Sequence, residues 1–243
     1  MTPKSREQMH ERYELEAEEY LRSLPLEHFM EATPQATQRK ITLESLDLVT
    51  AVRPDVHVFN ELLVQYPRAG MRGMRRQQKV VPDNMVVIHD GPLQVYLSYT
   101  TREQPAAPFW VMEYVSKSSR RKDYDDNLDK YEIDLRVPYY LLFQPDVQEL
   151  TLYRHNGKKY VSVKPNARGR YPVKELELEI ALLDGWVRYW FRGELLPLPA
   201  ELQRERNEAR QELATERQAR LAAEEENARL RAELDQMKRR NHK

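Results

Sequence analysis

The composition of the chain changes abruptly at Pro199, and this break divides the sequence into two parts that cannot fold alike. Residues 200–240 contain no Gly and no Pro and consist almost entirely of Ala, Glu, Arg, Gln and Leu. These residue types favour helix. The break predicts one long helix over 199–243, behind a domain over 25–198 and a helical N-terminal extension over 1–24.

The long helix carries an irregular heptad pattern. Apolar residues and one Asn fall at its a and d positions, namely Leu202, Ala209, Leu213, Ala223, Asn227, Leu230, Leu234 and Met237. Charged residues at Arg206, Glu216 and Arg220 weaken the middle of this seam, whereas an Asn at an a position favours in-register parallel dimers. The pattern predicts a coiled-coil homodimer, and a single solvated helix is the alternative.

The first 198 residues alternate between helical and strand patterns. Residues 5–22 predict an exposed helix and 36–51 an amphipathic helix, whereas 56–66, 80–90, 108–116 and 137–145 are typical of strands. Residues 117–135 turn from polar to helical, and 149–165 predict a hairpin at Asn156-Gly157. The apolar cluster in 175–193 is expected to close the core. This order predicts an α/β or α+β fold with a mixed β-sheet flanked by helices.

Composition restricts the chemistry. The chain has no Cys, which excludes disulfides, zinc-thiolate sites and thiol catalysis. It contains no apolar run long enough to span a bilayer and no signal-peptide pattern, so we expect a cytoplasmic protein. The balance of 39 basic and 39 acidic residues argues mildly against avid nonspecific DNA binding, and local patches must therefore provide any such contact.

Two carboxylates stand at unusual places in apolar strands. Asp83 follows Pro82 and leads directly into the apolar run MVVI, and Glu113 is the single carboxylate in FWVMEYVS. A charge inside such a strand is costly unless it is paired or bound to metal. Converging strand carboxylates suit Mg²⁺, and the backbone carbonyl of Tyr114 or Val115 is a further candidate ligand. A salt bridge from Glu113 to a following basic residue is the alternative.

The motif order over residues 36–165 resembles the Uma-type restriction endonuclease family. The resemblance is carried by PDNMVVI, FWVMEYVSKSSRRKDY, a helix with a Tyr, and VPYYLLFQP. The family belongs to the PD-(D/E)xK nuclease superfamily. The resemblance implies a restriction-endonuclease-like fold, Asp83 and Glu113 as ligands of Mg²⁺ or Mn²⁺, and DNA as the substrate.

The chain departs from this pattern at the catalytic lysine. Val115 stands where the superfamily has a Lys, and Asn127 stands where the family has one, four residues before a Tyr. Lys130, which shares a helical face with Asn127, and Lys122 are the candidates for this role. Arg136 replaces the family's Gly before Val-Pro.

Other residues complete the expected site. Glu44, Glu61 or Gln65 is a candidate for a further group beside the metal. Basic residues flank both carboxylate strands and are expected to contact phosphates, namely Arg72, Arg75, Arg76, Lys117, Arg120 and Arg121.

Two functions follow from these observations. The first is a Mg²⁺-dependent endonuclease that hydrolyses DNA phosphodiester bonds. The alternative is a catalytically inactive scaffold with a nuclease-like fold, which binds a partner or dimerises through its coiled coil.

Overall fold

The computed structural model describes residues 3–24, 33–67, 77–115 and 127–240, and the chain divides into two compact units, Met1–Leu196 and Pro197–Lys243. The described helices are α1 (Pro3–Ser23), α2 (Thr33–Thr50), a π-helix (Lys130–Leu135) and α3 (Pro199–Arg240). Two 3-10 turns lie at Pro145–Val147 and Lys174–Leu176.

Within the described residues the strands form three sheets. A six-stranded sheet has the order β1-β4-β6-β7-β8-β9, a four-stranded sheet the order β10-β11-β12-β13, and a three-stranded sheet the order β3-β2-β5. The strands are β1 (Val56–Asn60), β2 (Leu63–Tyr66), β3 (Gln78–Val80), β4 (Asn84–Ile88), β5 (Ser98–Thr100), β6 (Trp110–Tyr114), β7 (Tyr139–Gln144), β8 (Glu149–His155), β9 (Tyr160–Ser162), β10 (Tyr171–Val173), β11 (Leu178–Leu183), β12 (Trp186–Phe191) and β13 (Glu194–Leu195). This mixed α/β architecture confirms the predicted fold class.

Both faces of the six-stranded sheet are covered. Alternate residues of a strand point to opposite faces, so Trp110, Met112 and Tyr114 of β6 join a core with α2 and the four-stranded sheet. Val111 and Val115 join the core of the opposite face, which also includes Tyr131. Glu113 shares this second face, and it is therefore turned towards the π-helix.

The single strand expected over 56–66 is wrong, because Glu61 interrupts it. Glu61 has φ 47°, a left-handed conformation that few non-Gly residues adopt. The chain consequently leaves the six-stranded sheet at β1 and enters the three-stranded sheet as β2. The Glu61 N–H donates to the carbonyl of Asp83 at 3.2 Å, so the interruption also holds the start of β4.

The first helix is more than the exposed segment that its charge pattern predicts. Tyr13 and Ala17 are buried, and Gln65 donates to the Tyr13 carbonyl at 2.9 Å. Lys79 donates to the Glu16 carbonyl. Gln65 therefore anchors α1 to the three-stranded sheet, and its place beside the carboxylates remains a prediction.

The strand expected over 80–90 is also wrong, because Val80 ends β3 and β4 begins at Asn84 in a different sheet. Other segments follow their sequence patterns. The hairpin at Asn156-Gly157 is confirmed, with Gly157 at φ 91°, and 175–193 supplies the paired strands β11 and β12. α3 exposes Leu213, Leu221 and Met237, and its pairing with a second copy remains a prediction. No helix in the described ranges is both long and apolar enough to cross a membrane.

We predict that Gln38 is essential for joining α2 to the four-stranded sheet. Its buried amide donates to the Val187 carbonyl at 3.0 Å and accepts from the Val187 N–H at 2.7 Å. Gln38→Leu leaves both buried backbone groups unpaired, so the free energy of unfolding in urea should fall by about 2–4 kcal/mol. Lys40→Ala, on the exposed side of the same helix, should change it by less than about 0.5 kcal/mol. Equal stability of the two variants would contradict this role.

Candidate active site

The register between β4 and β6 brings the two predicted carboxylates together. Asn84 pairs with Met112 in this antiparallel ladder, so Asp83 and Glu113 stand opposite each other one residue further along. Directly opposed side chains share a face of the sheet and lie in contact distance. The negative charge of Asp83 consequently acts on the Glu113 carboxyl group.

The backbone and side chains around β4 hold Asp83 in place. Its Oδ2 accepts the Tyr114 N–H at 2.6 Å. The Tyr114 hydroxyl donates to Asn84 Oδ1 at 2.8 Å and lies 3.2 Å from Thr42 Oγ1, which is 3.0 Å from the Tyr189 hydroxyl. This buried network links the start of β4 to α2 and to the four-stranded sheet.

Glu113 is buried and meets a hydrogen-bond donor from the π-helix. The Tyr131 hydroxyl donates to Glu113 Oε1 at 2.6 Å, and Asn127 Nδ2 donates to the same oxygen at 3.4 Å. Burial raises the pKa of Glu113 well above its ordinary value, and the negative charge of Asp83 raises it further, whereas the Tyr131 hydrogen bond lowers it. Without a cation, the pair therefore retains a proton to a higher pH than an exposed Glu does.

The lysine expected at the site is connected to Glu113 through another side chain. Lys130 Nζ donates to Asn127 Oδ1 at 3.1 Å, so Asn127 connects the ammonium to Glu113. Val115, at the superfamily's lysine position, is buried among apolar residues, and its N–H donates to Phe143 at 2.9 Å. Lys122 lies outside the described residues.

The π-helix carries Tyr131, which contacts Glu113, and Lys130, which contacts Asn127. π-Helical turns are rare and occur frequently at functional sites. The turn ends at Arg136, which has φ 50° and donates its N–H to the Tyr131 carbonyl. This left-handed position explains why Gly suits the family pattern here, because Gly adopts such a φ without steric cost.

The donor set fits a hard divalent cation. Two opposed carboxyl groups supply oxygen ligands, and Mg²⁺ is commonly held by one or two carboxylates with water completing its shell. Among the described residues, no group of three or more His, Cys, Asp and Glu side chains could hold a metal ion. The candidates Glu44 and Glu61 instead approach Lys40 at 3.8 Å and Arg39 at 2.7 Å.

The basic residues expected to flank the site lie outside the ranges that the structure describes. They are Arg72, Arg75, Arg76, Lys117, Arg120 and Arg121. Ion pairing of Glu113 with Arg120, Arg121 or Lys122, the alternative to metal binding, falls on the same segment. The described hydrogen bonds of Glu113 come from Tyr131 and Asn127.

Sequence reasoning missed the contacts that position the carboxylates. Tyr131 served only as a spacing marker, although it is fully buried and donates to Glu113. The family pattern places this Tyr four residues after its lysine, and this fixed spacing is the sequence signal that indicates a role for Tyr131 at the site. The Tyr114 N–H on Asp83 and the Asn84 contact carry no sequence signal, because they depend on the register of β4 against β6.

The family model described as "Putative restriction endonuclease" matches residues 12–184. The chain belongs to the Uma2 family. This match covers Asp83, Glu113 and the π-helix and ends before α3, and family membership supports a nuclease. It also confirms the resemblance seen in the motif order.

A solved structure is similar to this Uma2 protein. It is the crystal structure of "a putative nuclease belonging to DUF820" from Anabaena variabilis ATCC 29413, with a TM-score of 0.45 and 18% identity, covering 60% of this chain and 75% of that one. No curated protein matches the chain.

We predict that Glu113→Gln stabilises the metal-free protein at alkaline pH. Because the folded-state pKa of Glu113 is raised, the folded protein binds more protons than the unfolded one above about pH 4.5, and stability falls as pH rises through the folded pKa. The Gln oxygen still accepts from Tyr131 but carries no charge. Urea unfolding in EDTA should show the variant more stable by about 1–2 kcal/mol at pH 8, with a smaller difference at pH 5. A less stable variant at pH 8 would exclude repulsion between the carboxyl groups.

Proposed function

We propose that the protein is a Mg²⁺-dependent endonuclease that hydrolyses phosphodiester bonds of DNA. The observation that carries this proposal is the register of β4 against β6, which sets Asp83 opposite the buried Glu113 at one end of the six-stranded sheet. Membership in a family described as restriction endonucleases supports a nucleic acid substrate.

Each residue of the site has a role in this proposal. Asp83 and Glu113 would hold the cation, Mg²⁺ or Mn²⁺, and the Val115 carbonyl is a further ligand candidate. When bound, a divalent ion supplies charge stabilisation to the phosphodiester and lowers the pKa of water. Tyr131 orients Glu113 through its hydrogen bond, and Tyr114 orients Asp83. Lys130, held by Asn127, offers positive charge to the phosphate.

The inactive scaffold is the second candidate. It is favoured by the apolar surroundings of Val115 and by Asn127 at the family's lysine position. A scaffold would bind no Mg²⁺ by calorimetry, and deletion of 200–243 would abolish its dimer. Homodimerisation through α3 and a cytoplasmic location remain predictions from the sequence.

We predict that cleavage depends on both carboxylates. Supercoiled plasmid DNA incubated with the wild-type protein and Mg²⁺ or Mn²⁺ should be nicked or linearised, and Asp83→Asn and Glu113→Gln should each lower the rate by at least about 100-fold, because each removes a cation ligand. Asp90→Asn, an exposed carboxylate two residues beyond β4, is the matched control and should keep full activity. Cleavage unchanged by either site variant would refute the proposal.

We predict that Lys130 supplies the displaced lysine function. Lys130→Met should lower the cleavage rate about 10- to 100-fold, whereas Lys174→Met, at an exposed position, should not. The double variant Asn127→Lys/Lys130→Met returns a lysine to the family's position and should recover activity. Full activity of Lys130→Met would assign the role to another group.

A further inference from the structure

One stretch of the chain has a local excess of positive charge. Residues 150–174 contain seven Lys or Arg residues and no Asp or Glu, although the whole chain carries 39 of each class. The stretch includes β8, β9 and β10. The seven residues are Arg154, Lys158, Lys159, Lys164, Arg168, Arg170 and Lys174.

Three carboxylates near this stretch are already engaged. Glu175 accepts from the Tyr139 hydroxyl at 2.9 Å and approaches Arg154 at 3.5 Å. Glu179 pairs with Arg170 at 3.1 Å. Glu132 accepts the Tyr160 N–H at 2.7 Å.

Five cations of the stretch are left without such neutralisation. They are exposed, and none forms an ion pair with any residue that the structure describes. One is Lys174, in the 3-10 turn after β10. We call the other four the basic strip: Lys158, Lys159, Lys164 and Arg168. Unneutralised charge of one sign on a protein surface attracts ligands of the opposite sign.

Two tight turns hold the backbone of the basic strip. Asn156 Oδ1 accepts the N–H groups of Lys158 and Lys159 at 2.9 and 3.0 Å. Asn166 Oδ1 accepts the N–H of Arg168 at 2.9 Å and that of Arg170 at 3.1 Å. Because the turns hold the backbone at Lys158, Lys159 and Arg168, the freedom lost there on binding a ligand is mainly that of the side chains.

Lys158 and Lys159 precede β9 and Lys164 and Arg168 follow it, and β9 is the edge strand of the sheet that carries Glu113. β9 is three strands from β6, which corresponds to roughly 14 Å at the usual strand spacing. Tyr171, which follows the turn of Arg168, donates to the Leu150 carbonyl at 3.1 Å. Leu150 pairs with Phe143, which pairs with Tyr114 beside the site. Roughly 14 Å corresponds to about four base steps at about 3.4 Å each.

We propose that the basic strip binds the phosphate backbone of duplex DNA a few base pairs from the scissile bond. The proposal rests on the nuclease function proposed above and adds the surface that receives the flanking duplex. It accounts for DNA contact by a chain without net positive charge, because the attraction is confined to one edge of the sheet. Contacts to phosphates position the duplex without reading its sequence.

The test measures DNA binding without cleavage. Fluorescence anisotropy with a labelled random-sequence 20-bp duplex, in EDTA at several salt concentrations, compares the full-length protein with Lys158→Gln/Lys159→Gln/Lys164→Gln/Arg168→Gln. Loss of four phosphate contacts should reduce the slope of log K against log salt by about 3 to 4 and weaken binding at least about tenfold at 0.1 M salt. The matched control, Arg204→Gln/Arg206→Gln/Arg210→Gln/Arg217→Gln, removes the same charge from exposed positions of α3 and should change affinity less than about threefold.

Several outcomes would overturn the proposal. The first is that the strip variant keeps the affinity and salt slope of the wild-type protein. The second is that both quadruple variants lose the same affinity and slope, and the third is that the wild-type protein does not bind the duplex. If the quadruple variant fails to fold, Lys158→Gln/Lys159→Gln and Lys164→Gln/Arg168→Gln should each lose about half of the slope change. Plasmid cleavage with Mg²⁺ is scored separately, so an inactive protein that binds DNA through the strip refutes only the nuclease function.

Discussion

The contact between two like-charged carboxyl groups across β4 and β6 is the constraint on which the surrounding structure depends. Asp83 and Glu113 repel each other when both are ionised, and burial of Glu113 raises the cost. The Tyr114 N–H and the Tyr131 hydroxyl offset part of this cost by donating at 2.6 Å each. A divalent cation held by the pair, as in the proposed function, would offset more of this repulsion.

Packing on both faces of the sheet makes this arrangement possible. One face is locked to α2 and the four-stranded sheet through the hydroxyls of Thr42, Tyr114 and Tyr189. The opposite face carries Tyr131, Tyr140 and Tyr160 in a ring cluster. These layers fix β4 against β6, so burial and then the negative charge of Asp83 raise the pKa of Glu113.

The elements predicted well are those set by local pattern. The hairpin at Asn156-Gly157, the strand of Glu113 and the helix after Pro199 each follow from residues within one segment. The wrong predictions concern segments whose structure depends on residues distant in the sequence. Glu61 splits a strand because its N–H meets Asp83, and α1 is partly buried because Gln65 holds Tyr13. Neither interaction leaves a periodic signal in its own segment.

The sequence by itself determined the residue types available for chemistry, the two carboxylate strands and the family pattern that relates them. It also showed that Val115 and Asn127 depart from the expected lysine positions. Only the tertiary structure decided that Asp83 opposes Glu113, that Tyr131 donates to Glu113 and that Asn127 links Lys130 to the pair. The physical reason is that strand register and the π-helix bring together side chains from separate segments, and these distances follow from packing of the whole domain.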